Sequence, residues 1–251
     1  MQKCRLFRYL LWTFAITYLC WGGLALLIHF QAFSYSHPVA TILHLIGGFG
    51  PTIAALVVWE GSGIKALIRF VFGCKRKSIF YLLLFCILEF AIIGLSSWEW
   101  NEAMPLSLVP VVFLQAVFLY GGNEELGWRG TMQPILEEKL PFPLATLITG
   151  IVWSVWHIPL WFVDGASQQN IPFFLFLALG ILLSFWLATV YKKTNCVFYC
   201  NILHGLTNTL LSLFVIKINA ILIIGFVFLL GISIFLWYFP KRLSQKENRN
   251  L

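Results

Sequence analysis

The chain is short of charge. Only 11% of its 251 residues are Asp, Glu, Lys or Arg, where a soluble domain carries about 25%. Hydrophobic residues make up 60%, and the mean hydropathy is +0.85. One soluble core of this length cannot hide so much apolar surface, and a lipid bilayer is its natural solvent. There is no internal repeat and no stretch polar enough for a soluble domain, so residues 1–251 read as a single integral membrane domain. A cleavable leader is also missing. The basic start (Lys3, Arg5, Arg8) runs into an apolar stretch that is too long for a signal core, and no small-x-small site follows. The six cysteines imply no disulfide framework, because none falls in a segment assigned below to the outside. Cys196 and Cys200 are spaced i, i+4 and admit a metal pair, but a free Cys is more often a small buried hydrophobe.

What is present fits a membrane. Eleven Trp and eight Tyr suit lipid–water interfaces. Eight apolar runs are each long enough to span: 7–29, 39–60, 78–98, 106–137, 142–163, 171–191, 196–216 and 219–239. The expected fold is therefore an all-α polytopic membrane bundle of about eight helices. Fifteen Lys and Arg fall in its termini and even-numbered loops, whereas only Lys217 falls in the odd-numbered loops. That bias predicts cytoplasmic N- and C-termini. The net charge of +7 then faces anionic lipid rather than nucleic acid.

Three helices carry polar groups that lipid does not tolerate, and such groups normally face the bundle interior. The fourth reads Glu124-Glu125-Leu-Gly-Trp-Arg129, the fifth Trp153-Ser-Val-Trp-His157, and the seventh His204-Gly-Leu-Thr-Asn208. Glu125 and Arg129 are i, i+4 and can pair on one face. Glu124 is turned about 100° away, which leaves its carboxylate free for general-base work. His204 and Asn208 share a face. Glu124 lies 17 residues before Pro141 and His157 lies 16 after it. Antiparallel helices therefore put both roughly 24 Å above that turn. His204 sits about 13 Å up its own helix and reaches the same level if the fourth–fifth hairpin projects about 10 Å into the cytoplasm.

These elements resemble the signature of the CAAX prenyl protease and bacteriocin-processing family of intramembrane proteases, also called abortive-infection-like: Glu-Glu-x-x-x-Arg, an aromatic four residues before His, and His-x-x-x-Asn or Asp. The resemblance covers roughly residues 107–210 and departs from it at Trp153, where the family more often has Phe. It implies an intramembrane endopeptidase acting on a membrane-associated peptide or protein, in a multi-pass protein of the plasma membrane. Glu124 and His157 would activate water, His204 and Asn208 would stabilise the oxyanion, and Glu125 and Arg129 would support the helix. A zinc held by Glu124, His157 and His204 is the alternative. However, His-Glu-x-x-His is absent, and with Glu124 as ligand the base would have to be Glu125, already paired with Arg129. A metal-free glutamate mechanism without cofactor is favoured.

Blander readings compete. The two Glu and Arg129 could form a structural ion cluster, and His204 with Asn208 could be interhelical glue. Glu89 reads as a protonated or locally paired helix residue, and His44 as a packing residue of the second helix. Residues 47–51 (Gly-Gly-Phe-Gly-Pro) read as a kink rather than a phosphate loop. The 241–249 stretch reads as a solvated tail beside headgroups. At the level of function, a non-enzymatic immunity or scaffold protein is the main alternative. A proton-coupled transporter ranks last, because no matched halves are visible.

Overall fold

The computed structural model describes residues 2–238; the expected 241–249 tail lies outside them. The chain folds as a helical bundle. α1 (Gln2–His29) is followed by α2 (Pro38–Gly48) and α3 (Gly50–Val57), then α4 (Gly63–Phe72) and α5 (Ile79–Leu95). α6 (Val109–Phe118) leads through short turns to α7 (Glu125–Gly127) and α8 (Gln133–Glu137). α9 (Phe142–Trp156), α10 (Phe173–Thr194), α11 (Val197–Leu213) and α12 (Ala220–Tyr238) complete it. Six helical stretches are long and apolar enough to cross a membrane, and the bent pair α2–α3 allows a seventh crossing. The bend is 44°, at the glycine-rich segment where the sequence predicts a kink.

Contacts at the helix ends sort the bundle into two ends. At one, Arg5 pairs with Glu60, Lys192 pairs with Glu137, and Trp237 stacks on Phe142. At the other, β1 (Ser97–Trp100) pairs antiparallel with β2 (Phe214–Lys217), and Asn101 donates to the Ser212 carbonyl. The two short strands sit where the sequence suggests only span ends. The helices before them end at Leu95 and Leu213, and beyond those points the two segments satisfy their backbone groups against each other.

Apolar side chains face outward as well as into the core, as a lipid surround allows. Large side chains such as Leu19, Phe80 and Ile224 are exposed, while Thr17, Thr149, Ser154, Ser184 and Ser233 are fully buried. Buried hydroxyls on helices return their hydrogen to the carbonyl one turn back, as Thr149 does to Ala145, Ser154 to Gly150 and Ser233 to Leu229. In lipid, helices associate through close packing of small residues. Gly150 of α9 meets α10 so closely that an added Cβ would sit 2.9 Å from Ile181 Cα and 3.0 Å from Ser184 Cβ. Gly150→Leu is therefore expected to push α9 off α10 and destabilise the bundle by about 1–3 kcal/mol. A fall in the midpoint of thermal unfolding in detergent would show it.

Three expectations are corrected. The run 106–137 is not one helix: α6 stops at Phe118, and the chain re-enters helix at Gly122. Gly121 is the cause, with φ of 114°, a conformation open to glycine. Beyond it lies a π-helical turn, Trp128–Met132. The segment 63–72, placed in a loop, is the amphipathic helix α4, which buries none of its residues. Cys196, expected to take part in no disulfide, does take part in one. It forms a disulfide with Cys74, which ties the loop after α4 to the start of α11, while Cys200 stays free and buried. The two cysteines are 122 residues apart, and sequence spacing carries no sign of a pairing that depends on tertiary packing.

Candidate active site

The break at Gly121 builds the site. Asn123 accepts a hydrogen bond from the Gly121 amide at 3.0 Å and donates to the Gly48 carbonyl at 3.1 Å. Thr52 donates to the Asn123 carbonyl. The turn is thereby seated on the α2–α3 bend, and Glu124 starts the next helical segment. A Cβ at Gly121 would lie 3.0 Å from His204 Nε2, so glycine is needed there both for its φ and for its closeness to α11.

α9 is fixed independently. Trp156 Nε1 donates to Thr17 Oγ1 at 2.6 Å, and that hydroxyl donates to the Gly47 carbonyl at 2.7 Å. Tyr18 donates to the Val155 carbonyl at 2.9 Å. His157, at the C-terminal end of α9, is thus held against α1. Its Nδ1–H donates to the Trp153 carbonyl at 2.8 Å, which leaves Nε2 with its lone pair.

The six predicted residues separate into two groups. Glu124 Oε2 accepts from the indole N–H of Trp153 at 2.7 Å and of Trp128 at 3.2 Å. Glu125 Oε1 accepts from Arg129 Nη1 at 3.2 Å and from His204 Nδ1 at 2.8 Å. The i, i+4 ion pair is present, and it extends to the histidine of α11. Asn208 donates one amide hydrogen to the Tyr120 carbonyl at 2.8 Å. Glu124, His157, His204 and Asn208 line one cavity of 140 Å³, while Glu125 and Arg129 lie behind it, almost fully buried.

Sequence reasoning missed four contributors. Trp153 appears there only as an aromatic in place of Phe, yet its N–H is the shorter of the two bonds to Glu124. The indole nitrogen was the available signal, since Phe has no donor. Trp128, four residues after Glu124, could have been found by the same helical spacing. Trp21 and His44 also line the cavity, from helices outside the motif-bearing region. His44 accepts no role from spacing, and its Nδ1 meets Tyr35 Oη at 3.1 Å. Glu89 is buried against Thr207 of α11, away from the cavity lining.

For a metal, the donors facing the cavity are Glu124 and the Nε2 atoms of the two histidines. Glu124 Oε2 is already taken by two indoles. Among the described residues, no group of three His, Cys, Asp or Glu side chains is arranged to hold an ion. The residues do not fit a three-ligand site as they stand, and no step below passes through one.

Residues 105–210, which contain all six predicted residues, match the family profile described as type II CAAX prenyl endopeptidase Rce1-like. The chain is also 28% identical over 258 residues to CAAX prenyl protease 2 of Methanococcus maripaludis, an alignment covering 91% of this chain and 92% of that protein. With its apolar spans and buried polar centre, this multi-pass membrane protein is similar, over the segment that carries the site, to the Rce1-like CAAX prenyl endopeptidases.

Proposed function

We propose that the protein is a glutamate-type intramembrane endopeptidase that hydrolyses a peptide bond in a membrane-associated peptide or protein of the plasma membrane. One observation carries this reading: a buried carboxylate held by two indole N–H groups opens on the same cavity as two imidazoles and a carboxamide. A cavity of 140 Å³ holds water and a scissile carbonyl. Glu124 takes a proton from that water, which attacks the carbonyl carbon. His157 Nε2 accepts the second hydrogen bond of the same water and orients it. The oxyanion is met by the free amide hydrogen of Asn208 and by the His204 ring, which the Glu125 carboxylate holds through Nδ1. Glu124 then returns its proton to the departing amine, and the C–N bond breaks. The low-dielectric surroundings strengthen each of these interactions.

The test is a purified protein in detergent or nanodiscs given a panel of membrane-anchored peptides, prenylated and not, with products mapped by mass spectrometry. Wild type is expected to cut at one bond. His157→Ala is expected to lower kcat by about 100-fold, the lower end of what a positioned base or its orienting partner contributes. Metal chelation is expected to leave the rate unchanged. A non-enzymatic scaffold would show no cleavage at all, and a zinc enzyme would lose activity to the chelator.

A further inference from the structure

The catalytic pocket adjoins a second cavity of 810 Å³, and five residues border both: His44, Tyr120, Gln168, Phe176 and Asn208. At 140 Å³ the first has room for a water and the scissile bond, so the larger space is where the chain flanking that bond lies. A bound peptide then passes through the joint between the two.

At that joint, His44 is the residue that the reaction above does not use. It comes from α2, outside the 105–210 segment that carries the motifs. A histidine that only packs would turn both nitrogens into the protein. Here Nδ1 meets Tyr35 Oη at 3.1 Å, whereas Nε2 meets no hydrogen-bonding group among the described residues and is not among the buried atoms sealed from solvent. The ring forms part of both cavity walls.

The ring is also held in place. Trp21 packs against it with centroids 5.5 Å apart and donates its N–H to the His44 carbonyl at 2.9 Å. Tyr120 meets it from α6's end of the joint at 6.0 Å. Tyr35 is pinned in turn: a Cβ added at Gly165, where φ is 92°, would lie 3.1 Å from Tyr35 Cβ. A side chain fixed before binding loses little freedom when it takes a ligand. Whichever of Tyr35 and His44 gives the shared hydrogen, Nε2 keeps either a hydrogen or a lone pair, and a peptide backbone supplies the complement of both.

We infer that His44 is a substrate-binding residue: its Nε2 hydrogen-bonds the polypeptide backbone beside the scissile bond, where the chain crosses from the catalytic pocket into the larger cavity, and Tyr35 positions the ring. That the neighbouring bond is cut rests on the hydrolytic reading above; that a peptide binds at His44 does not.

Three replacements separate binding from packing. His44→Phe keeps a ring against Trp21 and loses both nitrogens. His44→Gln brings an amide to roughly the place of Nε2, and His44→Asn only to that of Nδ1. Fluorescently labelled, membrane-anchored peptides of the panel above are titrated in detergent with the Glu124→Gln protein, so that no turnover intervenes. Kd is expected to rise about ten-fold when His44→Phe or His44→Asn is added, the upper worth of one neutral hydrogen bond, and to change less than about two-fold for His44→Gln. With Glu124 restored, the same rise is expected in KM with kcat unchanged. Tyr35→Phe is expected to raise KM by less. Equal Kd in all variants, equal losses in His44→Gln and His44→Phe, no binding of any peptide with His44 intact, or a lower kcat at unchanged KM each overturn the role. If His44→Phe does not accumulate, the Gln and Asn variants decide alone. Peptides that wild type never cuts, yet that bind and lose affinity as expected, would keep the role of His44 and overturn the hydrolytic reading.

Discussion

Glu124→Gln is expected to lower kcat for a membrane-anchored peptide by about 10²–10⁴-fold, the range a positioned general base contributes, while the protein still inserts and folds. Both indole hydrogen bonds end on a single carboxylate oxygen, Oε2. The amide oxygen of Gln has two lone pairs and can accept both, so the local structure survives and only the base is lost. Unchanged thermal unfolding in detergent, alongside lost cleavage, is the expected pair of results. Full activity in Glu124→Gln would remove the residue from the mechanism. Trp153→Phe is the graded companion. It keeps the ring that packs on His157 and Phe176 and deletes the donor 2.7 Å from Glu124. One hydrogen bond to a charged group accounts for about a ten- to hundred-fold effect, expected in kcat with KM unchanged, because Trp153 positions the base and does not bind the scissile bond.

The contrast between these two residues shows what the sequence makes legible. Apolar runs set by the thickness of a bilayer declare themselves, and so does a carboxylate inside one, because both break the same composition rule. Glu124 and His157 could therefore be placed at one level by counting residues along antiparallel helices, with His204 joining them if the hairpin projects and Asn208 on the same face as His204; all four line one cavity. Trp153 breaks no rule, and its role appears only once α9 is packed beside the turn at Gly121. The break in the fourth span is hidden for a related reason. Leu119, Tyr120 and two glycines still read as apolar, and a positive φ leaves no mark on hydropathy. His44 is invisible from the opposite direction. A single histidine on an apolar helix usually packs, and its place in the cavity depends on the α2–α3 bend and on Trp21, whose N–H reaches the His44 carbonyl at 2.9 Å. Amphipathic α4 and Cys74 fall in a basic loop on a count of charges and Cys196 at the start of a span, a count that sets sides but not shapes.

Glu125 is where stability and chemistry meet, and its replacement should be the most damaging to the fold. Its side chain is fully buried, and one oxygen, Oε1, holds both Arg129 and His204. Glu125→Ala would leave the Arg129 guanidinium, itself 2% exposed, with no counter-charge. Breaking a buried pair in this way costs about 3–5 kcal/mol, because the surviving charge has lost its solvent and its partner together. A large drop in the unfolding midpoint, or failure to accumulate in the membrane, is the expected result. The fold loss alone does not reveal whether Glu125 also serves the reaction, but a double variant separates the two. Glu125→Ala with Arg129→Met removes both charges and fills the space with an apolar chain, an exchange that is often neutral or favourable for buried pairs. If Glu125 were only half of a structural ion pair, both stability and cleavage would return. Because the same oxygen holds His204 Nδ1–H at 2.8 Å, the double variant is expected to regain stability and still lack cleavage, by about the 10²–10³-fold that one oxyanion donor contributes. Restored cleavage in that variant would show that His204 keeps its place without Glu125, and the carboxylate would then belong to the scaffold alone.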